Sequence, residues 1–399
     1  MMINKNYTLL FLASCVSTLG ASMTYIALYW YYFEQTTVTS LTLLTTATFL
    51  AGFVFNLFLT PICDKYDPKL LMRTTMLIRC ILLLSVGLAM YFFDISIYYM
   101  VAMMILLVAL ESVYDPSSIK IITRIVKEDD YVTANSWISI LDRMGFLMGM
   151  LLGGIIIALI DIEMILFIEA ISFFIGFILL YFVQETYKVN EAQTEEADNY
   201  FVLWKNGITY IFRTKWLLWI AVIAIAANLA ITPTVTLLIP YTSEILHGQS
   251  FHYSILEVSS ILGGMMMAYV IGKFKMQQLF RWFVIAALLQ SMCIIFLSFN
   301  RTIGIAIVLL FLLGTFISLF NVPFTTILQK YVPNSYLGRV RGGMIALSTS
   351  LSSIGYAFSG IISEKVGIVQ AILIYGVLGM VVIVGMALLK PFKYASIDK

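Results

Sequence analysis

Charge is what this chain lacks most. Only 12% of its 399 residues are Asp, Glu, Lys or Arg, against 61% apolar, and no soluble domain of this length has that balance. The net charge of +2 leaves no basic surface for a nucleic-acid partner. Histidine is nearly absent. His247 and His252, the only two, stand in H-x-x-x-x-H, which does not match a zinc helix motif, so no metal site is expected. The four cysteines, Cys15, Cys63, Cys80 and Cys293, fall in separate segments with neither disulfide nor metal spacing. No G-x-x-x-x-G-K-[ST] loop occurs, which excludes ATP as the energy source. No H-E-x-x-H or G-x-S-x-G occurs, which removes the grounds for an intramembrane enzyme.

What is present is apolar sequence in long, uniform runs. Hydrocarbon offers no water to stray peptide groups, so spans must be helices or a closed barrel. The runs lack the alternation of barrel strands, and their length suits helices. The expected fold class is an all-α polytopic membrane protein. Twelve runs are read: Leu9–Phe33, Leu41–Ile62, Thr74–Phe93, Ile97–Ile119, Trp137–Ile160, Met164–Val183, Trp216–Ile239, Ser254–Gly272, Trp282–Phe299, Thr302–Leu328, Gly342–Ser363 and Gly367–Leu389. The first is too long for a cleaved signal and no small-x-small site follows it.

Orientation follows from the basic residues. With the N-terminus inside, all but Arg301 and Lys365 of the 24 Lys and Arg lie in or near inner loops. Both termini are therefore expected in the cytoplasm. The longest gap opens acidic, with Glu191, Glu195, Glu196 and Asp198, and is expected to be solvated. It closes as an amphipathic surface helix over Tyr200–Phe212. The chain thus divides into a six-helix bundle over 1–185, a cytoplasmic linker over 186–215 and a second bundle over 216–399. Pro116 precedes Gly153 by 37 residues, and Pro323 precedes Gly360 by the same 37, the trace expected of a duplicated unit.

Two features point to function. Gly145, Gly149, Gly153 and Gly154 lie in G-F-L-M-G-M-L-L-G-G. Each glycine would weaken a water-exposed helix by roughly 1 kcal/mol relative to Ala, but in a bilayer the first three form a stripe on which another helix can pack closely. Ionisable groups inside spans cost about 2.5–3.5 kcal/mol each on insertion scales, so they default to functional candidates. Glu111 and Asp115 are four apart on one face of the fourth span. Two close carboxylates cannot both ionise cheaply in low dielectric, which is the property a proton carrier needs. Asp142 and Arg143 lie in the inner third of the fifth span, with Arg143 a partner for Asp115 or Glu111. Glu169 and Glu257 are read as nearer the outer ends of their spans. Tyr25, Tyr29, Asn228, Phe320 and Asn321 are the candidates for lining a substrate cavity.

Three stretches carry a family resemblance. Asp64-Lys65-Tyr66-Asp67-Pro68-Lys69 resembles the D-R/K-x-G-R-K/R loop of the major facilitator superfamily, in the D-R-x-D-R-R form of its macrolide-efflux branch. The glycine stretch is similar to the antiporter motif G-x-x-x-G-P-x-x-G-G, with Met150 in place of proline. Pro323, Gln329, Val332-Pro333 and Gly338-Arg339-Val340 resemble that branch's P…Q-x-x-V-P…G-R-V. The sequence departs where many members have an acid, since Ala21 follows Gly20, and where drug exporters have an arginine in the fourth span.

The resemblance implies two pseudo-symmetric six-helix bundles that rock about a midplane cavity. It implies that Asp64 faces a helix N-terminus of the other half as a latch, with Lys65, Lys69, Arg73 and Arg339 completing a charge network. It implies that the glycine stripe packs the fifth helix against a helix of the opposite half. The function implied is export of an amphipathic small molecule, such as a drug-like compound or siderophore, from a bacterial plasma membrane as in multidrug resistance. The proton gradient would be the energy source, no cofactor would be needed, and the state would be monomeric. The alternatives of another kind are a lysolipid or lipid flippase of the same fold and a non-transporting immunity or sensing partner.

Overall fold

The computed structural model describes residues 4–59, 62, 66–93, 97–127, 131–184, 209–273, 278–332 and 334–388. Among these residues there are twelve long helices: α1 (Lys5–Gln35), α2 (Val38–Leu59), α3 (Pro68–Phe92), α4 (Ile97–Ile125), α5 (Tyr131–Ile156), α6 (Ile162–Phe182), α7 (Lys215–Thr236), α8 (Ser250–Lys273), α9 (Leu279–Phe299), α10 (Ile303–Tyr331), α11 (Asn334–Val366) and α12 (Ile368–Leu388). Ten helices of the described residues are long and apolar enough to cross a membrane, and α5 adds the shorter apolar stretch Met144–Ile156. Several helices begin or end beyond the apolar runs, because capping and charged residues continue them past the hydrocarbon. The expected surface helix falls mostly on residues outside the described set.

Local chemistry accounts for several helix ends. Asn4 caps α1 by accepting from the Tyr7 N–H at 2.8 Å and donates its amide to the Ile125 carbonyl at the end of α4. Asp67 caps α3, and Pro68 stands at the first helical position, where its missing N–H costs nothing. Gly367 closes α11 at φ +98, a left-handed position that suits glycine, and its N–H reaches the Ser363 carbonyl at 2.9 Å.

The chain forms two compact units, Met1–Thr36 with Ala47–Gln193, and Thr37–Thr46 with Thr194–Lys399. Helix α2 is thus shared, its first turns grouping with the second unit. In the first unit, α1 packs on α5 and α6, and α3 packs on α4 and α6. In the second, α7 packs on α11 and α12, and α9 packs on α10 and α12. These four pairings recur six helices on, as expected of a duplicated unit, and the second unit adds α8 on α10 and α7 on α9.

Small residues set the closest approaches. A Cβ on Gly149 would meet the Leu19 carbonyl oxygen at 2.5 Å, and one on Gly153 the Met23 oxygen at 2.7 Å. The glycine stripe of α5 therefore lies on α1 within its own unit, which corrects the expectation of a partner in the opposite half. Backbone can meet backbone here because no side chain intervenes. In the second unit the glycine of α11 that meets α7 is Gly355, beside Leu229 and Thr232. Gly360 instead lies on Thr42 and Thr39 of α2, so the 37-residue spacing does not mark equivalent contacts.

Candidate functional site

Most side chains facing the interior of the first unit are apolar, and the exceptions converge. Arg79 sits next to the midpoint of α3, and Glu111 at the midpoint of α4. Glu169 lies a turn before the midpoint of α6, and Thr24 on α1 is beside it. Arg79 is 7% exposed and Glu169 3%. Helix α3 packs on both α4 and α6, and α6 on α1, so four helices contribute one side chain or more to a single cluster.

The Arg79 guanidinium lies 5.2 Å from the Phe173 ring centroid and 5.6 Å from that of Tyr114. These rings attract a cation through their negative faces. Its Nε and Nη2 and the Glu169 Oε2 are buried without a hydrogen-bond partner. No ion pair joins Arg79 to Glu169 among the described residues. Glu169 nevertheless feels the charges of Arg79 and of Glu111. Glu111 itself is on the exposed side of α4, as is Asp115 one turn further along.

The chemistry follows from a charge count. A guanidinium stays charged in any protein environment, whereas a buried carboxyl can give up its charge. The two buried charges, Arg79 and Glu169, sum to zero when the carboxyl is ionised and to +1 when it is protonated. Isolated charge is costly in a span, so the protonation state of Glu169 decides whether Arg79 is compensated. Sequence reading alone sees half of this centre: it counts Glu169 among the charged candidates, in the first half of its helix as the structure has it, but does not single out Arg79. The signal is there, since Arg79 interrupts M-L-I-R-C-I-L-L-L, and the cost argument applied to Glu111 applies equally to it.

The other predicted residues divide clearly. Asp67 accepts from the Leu70 N–H at 3.0 Å and pairs with Arg124 of α4 at 2.8 Å, so it ties α3 to α4 within one unit. The Arg73 guanidinium lies 4.5 Å from the Tyr181 ring centroid and 5.8 Å from that of Phe177. Lys69 lies in the first turn of α3, half-buried. Asp64 and Lys65 lie outside the described residues, as do the side chains of Asp142, Arg143 and Arg339. Gly145, Gly149, Gly153 and Gly154 are all buried.

The cavity candidates fare unevenly. Tyr25 and Tyr29 have ring centroids 4.5 Å apart, but Tyr29 is buried and its hydroxyl lies 3.1 Å from that of Thr48. Asn228 spends an amide donor on the Ala224 carbonyl of its own helix. Phe320 is a correction. It is buried in the core of the second unit, stacked on Phe283 at 4.6 Å and on Phe324 at 6.1 Å, because α9 and α10 pack through aromatic faces. Asn321 beside it is exposed. Among the described residues no group of three His, Cys, Asp or Glu is placed to hold a metal.

A bundle of long apolar helices, with Arg79 and Glu169 buried among them, defines an integral, multi-pass membrane protein. The chain belongs to the Major Facilitator Superfamily, whose family model matches residues 10–355. It is 23% identical over 398 residues to the uncharacterized MFS-type transporter YvqJ of Bacillus subtilis (strain 168), covering 98% of this chain and 94% of that one. Its fold is similar to that of the nucleoside transporter NupG, with a TM-score of 0.69, 17% identity, and 97% and 98% of the two chains covered. It is similar, too, to a bacterial homolog of the human lysosomal transporter Spinster in an inward-facing, unoccupied conformation, with a TM-score of 0.70, 12% identity, and 97% and 96% covered. The protein is thus a membrane transporter of small molecules and not an enzyme.

Proposed function

We propose that this transporter exports an amphipathic small molecule across a bacterial plasma membrane, with both termini in the cytoplasm, and that inward proton movement drives it. The observation that carries the reading is the Glu169 carboxyl, buried at mid-span with an unpartnered Oε2 and within electrostatic reach of Arg79 and Glu111. A group so placed is costly to retain unless it works. Protonation from outside would leave Arg79 uncompensated, and release inside would restore the compensating carboxylate. Each charge state favours a different arrangement of the surrounding helices, so proton movement can shift the populations of two transport states. Glu111 and Asp115, on the exposed side of α4, supply the route by which a proton reaches and leaves Glu169. The basic-residue bias supports the orientation.

Inverted membrane vesicles carrying the full chain test this with ethidium as the probe. Imposing an inside-acid pH gradient is expected to drive ethidium uptake, and adding nigericin to abolish it. Uptake that is unchanged once the gradient is collapsed would remove the proton from the mechanism.

A further inference from the structure

We propose that Arg79 is the internal counter-charge of Glu169: it rests against the Phe173 and Tyr114 rings while the acid is protonated and turns to bind the carboxylate once the proton has left. The inference rests on the reading of Glu169 as the proton site and assigns a second residue to it. Three observations point there. Arg79 is held by ring faces at 5.2 and 5.6 Å. Its Nε and Nη2 have no hydrogen-bond partner, and neither has the Glu169 Oε2. Both side chains belong to helices packed directly on each other, α3 and α6. A buried guanidinium and carboxyl in adjacent helices, each with unmade hydrogen bonds, form an open pair. Buried polar groups are normally satisfied, so a second arrangement that satisfies both has a clear driving force.

The surroundings leave few competitors. From α1 the group beside Glu169 is the neutral Thr24; from α3 it is Arg79; from α4 it is Glu111, while the Tyr114 ring of α4 lies against Arg79. On α6 itself the nearest ionisable side chain is Glu163, in the first turn. When Glu169 releases its proton towards Glu111, Arg79 keeps all of its own protons and supplies only charge and hydrogen bonds. It is a positioning residue that sets when Glu169 lets go.

Infrared spectroscopy of the full chain in liposomes, titrated with pH, follows the protonated carboxyl band without any transported molecule. Glu169→Gln should remove one band and so identify it. An opposite charge at close range shifts a carboxyl titration by about 1–3 pH units. Arg79→Gln should therefore move the midpoint of that band upward by about 1 unit or more, while Arg79→Lys leaves it near the original value. If Arg79→Gln is lost from the membrane but Arg79→Gln with Glu169→Gln is recovered, the pairing also stands, because the single change strands a buried charge. A band midpoint unmoved in Arg79→Gln overturns the inference, as does equal loss of the single and double variants, which would make Arg79 a packing residue. Retention of gradient-driven ethidium uptake in Glu169→Gln would instead refute the proposed function while leaving the pair itself testable by its band.

Discussion

Adding one methyl group along the α5 stripe should give three different results at three glycines. At Gly145 an added Cβ would come nearest the Thr18 side chain, at 3.5 Å, an ordinary contact. At Gly149 it would stand 2.5 Å from the Leu19 carbonyl oxygen and 2.7 Å from the Ser22 Cβ. At Gly153 all three nearest atoms are backbone atoms of Met23, at 2.7, 2.9 and 3.2 Å. Backbone cannot rotate aside as a side chain can. Relief needs α1 and α5 to separate by ~1 Å, and overpacking of this kind costs about 1–3 kcal/mol. Helix propensity works the other way, since Ala is preferred to Gly by about 1 kcal/mol in a water-exposed helix. Gly145→Ala is therefore expected to be neutral or slightly stabilising. Gly149→Ala should be destabilised and Gly153→Ala more so, by up to about 2 kcal/mol net. Thermal unfolding of each variant in detergent, followed by size-exclusion chromatography, measures the order. Equal melting temperatures for all three would refute the close-packed seam between α1 and α5.

Two smaller perturbations test the rest of the architecture. Asp67→Ala removes both the cap of α3 and the pair with Arg124, and should cost about 0.5–2 kcal/mol. Arg124→Ala removes only a partly exposed ion pair and should cost less than about 1 kcal/mol, shrinking as salt is added; denaturation at two ionic strengths separates them, and equal losses would contradict the capping role. At the far end of α11, Glu364 accepts from the Thr39 N–H at 3.0 Å, which with the neighbouring Thr39 and Thr37 hydroxyls holds its carboxyl below the usual range. A depressed acid stabilises above its unfolded value and loses that contribution as pH falls through its folded value. Protection of the Thr39 amide from hydrogen exchange should therefore be full near neutrality and fall below about pH 4. Glu364→Gln should lower it at neutral pH, and a pH-independent signal would refute the contact.

The fold is legible in the sequence because hydrocarbon imposes a simple rule. Uniform apolar runs, interrupted by basic loops, can form little else than spanning helices, and the runs coincide with the helices apart from their ends. The contacts are less legible. The spacing of Gly145, Gly149 and Gly153 announces a close-packed face but not its partner, because a small-residue stripe accommodates any helix brought against it. Only the tertiary arrangement assigns α1. Phe320 shows the same ambiguity, since an aromatic suits a binding pocket and a packed core equally. The buried cluster is half visible. Glu111 and Glu169 emerge from the cost of charge in a span, but Arg79 is counted among the inner basic residues that set orientation. Convergence of α1, α3, α4 and α6 on one point is a long-range property that no local pattern encodes.

The most direct test compares two modes of transport in one variant. Glu169→Gln protein in proteoliposomes is expected to exchange ethidium down its own gradient about as fast as the unmodified chain, because the substrate path is intact. It should fail to concentrate ethidium when a pH gradient is imposed, because the neutral side chain cannot take up and release a proton. Concentration of ethidium by Glu169→Gln to the level reached by the unmodified protein would contradict the account.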